Sequence, residues 1–180
     1  MNASSQFVVA THIMAMLAVK RLYLPDHDST NSDEIADSVN NNAVVIRRIL
    51  SKLREAGLVI SKTGPHGGSV IAKDPSVITL EHIYKAVKEE GSIFHMHYSE
   101  PNPYCLIGGN IQNCLGDTFK EIEKSLSGIL SGITLFDVVQ KLLNQAGIST
   151  DQPKEVITQK LIKMNAEYAV IKDNVELMNQ

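Results

Sequence analysis

Three consecutive asparagines, Asn40, Asn41 and Asn42, separate two short amphipathic stretches. Asn tolerates left-handed backbone and its side chain caps helices, so the run ends one helix and begins the next. Before it, Ile35, Ala36 and Val39 recur at helical spacing over 32–39, with Asn31 or Ser32 available as cap. After it, Ile46, Ile49, Leu50 and Leu53 form a buried face over 43–56, while Val44, Arg47, Ser51 and Arg54 form an outward stripe at i, i+3, i+7 and i+10. Gly57 closes this helix in the left-handed position. A β-branched run over 58–62, the turn Gly64-Pro65-His66-Gly67-Gly68 and a second strand over 69–72 follow. The predicted order is helix, tight turn, helix, hairpin.

The remaining segments read as helices. Over 4–22, Phe7, Ala10, Met14, Leu17, Ala18 and Leu22 recur at helical spacing. Val8, Val9, Ile13 and Met16 make the other face apolar too, which predicts burial on more than one side. Thr79 caps a helix to about residue 89, with Leu80, Ile83 and Val87 inward. Residues 91–113, rich in Gly and Pro, read as a loop. Over 114–131, Leu115, Phe119, Ile122, Leu126, Ile129 and Ile133 alternate four and three apart, an a/d seam expected to pair two subunits. Thr134 and Asp137 form a capping pattern for a helix that Gly147 closes. Asp151-Gln152-Pro153 opens a helix over 153–180, where Ile157, Leu161, Met164, Tyr168, Ile171, Val175 and Met178 continue the same alternation. Its expected partner is the outer side of 115–133 near Leu130, or its own copy in a second subunit. The fold class is mainly α with a small β-hairpin wing. The expected division is a winged helix-turn-helix domain over 1–90, a sensor-like loop over 91–113, a dimerisation helix and its successor over 114–145, and a C-terminal heptad helix over 150–180.

Composition excludes several classes. Aromatics are 5% and Trp is absent, so Leu, Ile, Val, Met and Ala carry the core. Apolar residues at 43% and charged residues at 21% match ordinary globular usage. The apolar run 13–19 is too short to span a bilayer, and no Lys or Arg precedes Lys20 to form a basic leader. Two cysteines cannot build a disulfide framework, so the chain reads as cytoplasmic, with no membrane partner. No nucleophile elbow, phosphate loop or carboxylate pair marks an enzyme. The net charge is −3, but residues 42–73 carry six basic residues against one acid, so this stretch is +5 and the remainder −8. A localised basic face on an acidic protein is the footprint of a reader of double-stranded DNA. The alternative, a winged-helix protein–protein adaptor, has no need of that charge.

Ser32-Asp33-Glu34-Ile35-Ala36, the run from Asn42 to Leu50, Leu53-Arg54-x-Ala56-Gly57-Leu58-Val59 and Gly64-Pro65-x-Gly67-Gly68 resemble the Rrf2 family of bacterial transcriptional regulators. Ile78-Thr79-Leu80 and Gly132-Ile133-Thr134-Leu135-x-Asp137-Val138-Val139 extend the likeness, which covers about residues 3–145. It implies a winged helix-turn-helix homodimer, a repressor on an inverted-repeat operator. By that resemblance Arg47 falls where the recognition helix reaches base edges, with Asn42, Val44 and Arg48 around it. An Arg there suits guanine O6/N7 and Val44 a thymine methyl. Ser51 and Lys52 are expected at phosphates and Arg54 on the same face. In the wing, Thr63 stands where cluster-bearing members place an Arg, so Lys62, His66 and Gly67 are expected at phosphate, not in the minor groove.

Some family members hold an iron–sulphur cluster through three cysteines before the dimer helix. Here only Cys105 and Cys114 occur; Cys114 matches the last of the three, and Asp117 falls where one subfamily places a fourth ligand. A cluster normally needs four ligands, so no cofactor is expected. A mixed site of His95, His97, Cys105 and Cys114 is conceivable for zinc on donor chemistry, but long-loop spacing makes it weak, and no metal is expected. Cys105 and Cys114 are redox candidates, Cys114 because a helix N-terminus favours its thiolate. An oxidant or a small molecule is the expected signal. The plainer reading of the two cysteines is small apolar residues with no sensing role.

Overall fold

A computed structural model describes residues 3–64, 67–88 and 99–178, apart from the side chains of 3, 4, 26 and 171–178. Helix α1 (Ala3–Tyr23) has neither Gly nor Pro and runs through the middle of the core. Ala10, Ile13, Met14, Leu17 and Ala18 are all fully buried, as expected of a helix apolar on both faces. A single 3-10 turn, Pro25–His27, leads to α2 (Ser32–Val39). Asn31 Oδ1 accepts from the amides of Asp33 at 3.0 Å and Glu34 at 2.8 Å, which fixes the start of α2. Asn40, with φ at 51°, ends it. Asn42 Oδ1 then accepts from Val44 N at 2.8 Å and starts α3 (Ala43–Glu55). The Asn run therefore does what its chemistry predicts. Ile35 of α2 and Ile46, Ile49, Leu50 and Leu53 of α3 close onto α1.

Strands β1 (Val59–Lys62) and β2 (Gly68–Ile71) pair antiparallel, from Val59 opposite Ile71 to Lys62 opposite Gly68. The hairpin is also pinned to the loop before α2. Thr30 N donates to Ser69 O at 3.0 Å and Ser69 N to Thr30 O at 2.8 Å. A Cβ on Gly68 would stand 2.6 Å from the Thr30 carbonyl oxygen, so only glycine permits this crossing.

Helix α4 (Leu80–Val87) is capped by Thr79, and α6 (Leu135–Gln145) by Thr134 in a reciprocal box with Asp137. The two caps sit side by side: Leu80 N donates to Ile133 O at 2.9 Å and Leu135 N to Ile78 O at 2.7 Å. Between them runs α5 (Gly108–Ser131), which begins six residues before the expected start at 114. Gly108 and Gly109 read as loop residues. Here they let the chain cross itself, since a Cβ at either would lie 2.5 or 2.8 Å from the carbonyl oxygens of Asn102 or Pro103. Leu135, Val139 and Leu143 bury α6 against the core.

Helix α7 (Lys154–Met178) is continuous, but within the chain its first turns meet a different partner from the outer side of α5. Ile157 is 2% exposed in the core, Leu161 packs beside it, and Thr158 Oγ1 donates to Tyr23 O at 2.8 Å. The start of the seam, Ile157 and Leu161, therefore docks on the end of α1 and not on the outer side of α5. The path explains this: α6 lies on α1, and Ile148, buried just after the α6 terminus, delivers the chain beside α1. Further along, Ile162, Met164, Tyr168 and Val170 are exposed. The side chains of Ile171, Val175 and Met178 lie outside the described residues.

Candidate nucleic-acid interface

The face of α3 opposite its buried residues carries Val44, 61% exposed, with Arg47, Arg48 and Arg54 all exposed beside it. Arg47 is held by the first turn of α2: its Nη2 lies 3.3 Å from Asp33 Oδ1, and its Nε donates to Ser32 Oγ at 3.3 Å. Ser51 Oγ donates to Glu55 Oε1 at 3.2 Å. Arg54 accepts from Gly57 N through its backbone carbonyl at 2.9 Å, while its side chain makes no hydrogen bond or ion pair among the described residues. Asn42 stands exposed at the helix start, its side-chain oxygen engaged as the cap.

Lys52 is not where it was expected. Its ammonium donates to Gln6 Oε1 at 2.9 Å and to the Val87 carbonyl at 3.4 Å, so it joins α3 to α1 and α4 instead of facing outward. The helical period explains the difference. Residue 52 follows Ser51 by about 100°, which turns it from the outward stripe toward the side that packs on α1 and α4.

In the wing, Lys62 Nζ pairs with Asp28 Oδ1 at 2.9 Å, and that hydrogen bond holds the Asp28 carboxyl below its ordinary range. Gly67 closes the turn through Gly67 N to Gly64 O at 2.9 Å, and a Cβ there would stand 2.7 Å from Lys62 O. His66 lies outside the described residues. Arg47, Arg54 and Lys62 share the walls of a cleft of about 300 Å³ between α3 and the wing. Two functional neighbours, Asp28 and Asp33, were not legible in the sequence. Asp33 reads as an ordinary first-turn acid that complements the helix dipole.

Of the α5 seam, Leu115, Ile122 and Ile129 are 38%, 42% and 64% exposed, while Phe119, Leu126 and Ile133 are half-buried. Elsewhere α5 is tied to α4, by Lys88–Glu123 at 3.5 Å and by Ser127 to Glu81. Because α5 starts early, Cys114 lies two turns inside it and Cys105 is the thiol at its N-terminus, the reverse of the expectation for Cys114. Both are exposed. The Cys105 sulphur accepts from the amides of Gly108 and Ile107, which lowers its pKa. His95 and His97 lie outside the described residues.

A short bracing helix, an Asn turn, an exposed basic second helix and a hairpin wing define a winged helix-turn-helix protein. The chain belongs to the Rrf2 family, a family of transcriptional regulators and not of enzymes. The family model, described as "Iron-dependent Transcriptional regulator", matches residues 3–141. YwnA of Bacillus subtilis, which carries the name of an HTH-type transcriptional regulator, is 37% identical over 139 residues, spanning 77% of this chain and 98% of YwnA. A crystal structure described as that of a DNA-binding protein is 33% identical, with a TM-score of 0.57 over 74% of this chain and 97% of that one. A transcriptional regulator structure from Lactobacillus plantarum is 26% identical, with a TM-score of 0.61 over 79% and 91% of the two chains. The family match ends inside α6, so α7 lies beyond it. Among the described residues no helix is long and apolar enough to cross a membrane.

The family description raises an iron group, and the donors of this chain do not fit a cysteine-ligated cluster. Its two thiols cannot supply four ligands within a subunit. Asp117 pairs with Lys120 at 3.2 Å, and no three potential ligands converge among the described residues.

Proposed function

We propose that this protein is a repressor that binds an inverted-repeat operator as a homodimer. The observation that carries the reading is the outward α3 stripe, exposed at Val44, Arg47, Arg48 and Arg54 with Ser51 half-buried among them, standing beside Lys62 of the wing. A helix so placed enters a major groove while the wing lies along the backbone. Arg47 offers a bidentate fork to guanine and Val44 a methyl contact to thymine. Arg48, Arg54, Lys62 and the wing turn at His66 and Gly67 take phosphates. Lys52 belongs to the packing of the domain and has no part in the contact.

The exposed edge of the α5 seam supports the dimer, because a monomer leaves Leu115, Ile122 and Ile129 in water. Two-fold symmetry then sets half-sites about one helical turn apart. Cys105 is the thiol through which an oxidant would act, since two backbone amides favour its thiolate at the start of the dimer helix.

Selection of bound duplexes from a random pool, with and without oxidant, tests the whole reading. Recovery of an inverted repeat, with affinity that falls steeply with salt, supports it. Equal retention of all sequences overturns the operator assignment. An oxidant response that survives Cys105→Ser removes the thiol from the scheme.

A further inference from the structure

A second cleft, of about 330 Å³, lies between α4 and α5 and shares no lining residue with the one between α3 and the wing. Lys85 and Lys88 line it from the end of α4, and Lys120 and Lys124 from α5, against a single carboxylate, Glu123. Outside residues 42–73 the chain carries 11 basic residues against 19 acidic ones, so four of those 11 meet at one place. Lys120 and Lys124 stand four apart on one helix, a spacing at which like charges repel. An anion in the cleft removes that repulsion.

The four cations are held unequally. Glu81 accepts from Lys85 at 2.7 Å and from the Ser127 hydroxyl, and those contacts hold its carboxyl below the ordinary range. Lys88 reaches Glu123 only at 3.5 Å. Lys120 meets Asp117 at 3.2 Å with both side chains more than four-fifths exposed, and a pair so exposed contributes little and yields to a better partner. Lys124 is exposed, and its side chain makes no hydrogen bond or ion pair among the described residues. Lys88, Lys120 and Lys124 are therefore the cations open to a ligand. Tyr84 adds an aromatic wall, its ring set at 88° to that of Phe7 with 5.5 Å between centroids.

Size and charge select the ligand. The space is at the small end of ligand pockets, and ammonium groups act on carboxylate or phosphate oxygens as point charges. Cations on two facing helices call for two negative charges on one small molecule. We infer that this cleft binds a small organic dianion that joins Lys88 of α4 to Lys120 and Lys124 of α5. The helix it grips is also tied to the basic helix: Lys52 of α3 donates to the carbonyl of Val87, the residue before Lys88. Occupancy of the cleft thus bears on α3, and the dianion is an effector of duplex binding. The effector role rests on the DNA-binding reading above; the site itself does not.

The test is amide NMR of the full chain titrated at constant ionic strength with succinate, with glycerol 1-phosphate, and with acetate as the monoanion control. Succinate or glycerol 1-phosphate should give saturable shifts at Tyr84, Lys85, Lys88, Lys120 and Lys124, and acetate only linear ones. The probe that saturates at lower concentration tells a dicarboxylate from a phosphate ester. Lys124→Gln should weaken saturation by about threefold to tenfold, and Lys154→Gln, an exposed lysine at the start of α7, should leave it unchanged. Linear shifts with both dianions, or equal weakening by the two variants, would overturn the site. Fluorescence anisotropy with a selected duplex, at saturating dianion, then reads the effector role. Duplex affinity should change by threefold or more in wild type and less in Lys124→Gln. Unchanged affinity defeats the effector role, and so does displacement of the dianion from the cleft by the duplex. Saturable dianion binding with no duplex binding at all defeats the DNA-binding reading and leaves the site standing.

Discussion

Arg47 Nη2 stands 3.3 Å from Asp33 Oδ1, so the central cation of the α3 stripe is paired with a carboxylate of its bracing helix. Both side chains are more than half exposed, at 58% and 78%, and a pair in that setting contributes about 0–1 kcal/mol. The contact orients the guanidinium without locking it, and a nucleic acid can replace the aspartate.

Asp33→Asn should therefore raise affinity for duplex DNA by roughly twofold to fivefold at low salt, with the gain shrinking as salt rises. Fluorescence anisotropy across a salt series measures it. Unchanged or lower affinity would show that Asp33 does not compete with DNA for Arg47.

Arg47→Ala should relax sequence preference and cost on the order of 1–3 kcal/mol at one base pair. Arg54→Ala should weaken all duplexes alike and flatten the salt slope by about one. Lys52→Ala should do neither, and should instead lower thermal stability, because Gln6 and the Val87 carbonyl lose their donor. Binding isotherms on specific and random duplexes, beside thermal melts, separate the three behaviours.

Ile122→Glu places a charge on the exposed edge of the α5 seam without disturbing the core of the monomer. Sedimentation at micromolar concentration should give a monomer, and operator affinity should fall with it. A variant that stays dimeric moves the interface elsewhere.

The Thr134–Asp137 box carries a pH dependence. Hydrogen bonds from the Thr134 hydroxyl and amide lower the Asp137 pKa. A carboxyl depressed on folding contributes stability that is complete above its unfolded pKa and is lost as pH falls through the folded one. Urea unfolding across the acid range should show this loss in wild type and less of it in Asp137→Asn. Thr134→Ala should cost about 1 kcal/mol at neutral pH, the usual value of an N-cap.

Ile157→Ala should destabilise the fold by about 2–5 kcal/mol, as for other large-to-small changes in a core. Deleting residues 163–180 should leave the melting temperature close to wild type, because Met164, Tyr168 and Val170 stand in solvent. A large loss on that deletion would mean that the outer part of α7 is covered in the assembled protein.

Much of this architecture was legible because its signals are local. Asn31, Asn42, Thr79 and Thr134 cap helices through atoms within three residues of themselves, and the buried faces of α2, α3, α4 and α6 follow from a 3.6-residue period. The α3 stripe and the wing hairpin came from the same short-range rules. So did the exposure of Val44, Arg47, Arg48 and Arg54.

What the sequence alone could not decide was set by segments distant along the chain. The a/d pattern of α7 says that one edge is apolar but not what it meets, and the buried position of Ile148 brought that edge to α1. Gly108 and Gly109 look like loop residues until the carbonyls of Asn102 and Pro103 are seen against them, and that crossing moved the start of α5 and put Cys105, not Cys114, at its N-terminus. Lys52 counts as positive charge in any sum over the sequence, yet Gln6 and Val87 hold it inward. Periodicity and capping depend on neighbours three or four residues away, so the sequence determined them. Which apolar edge meets which, and which cation meets which oxygen, depends on atoms tens of residues apart, and only the packed chain brings those within reach.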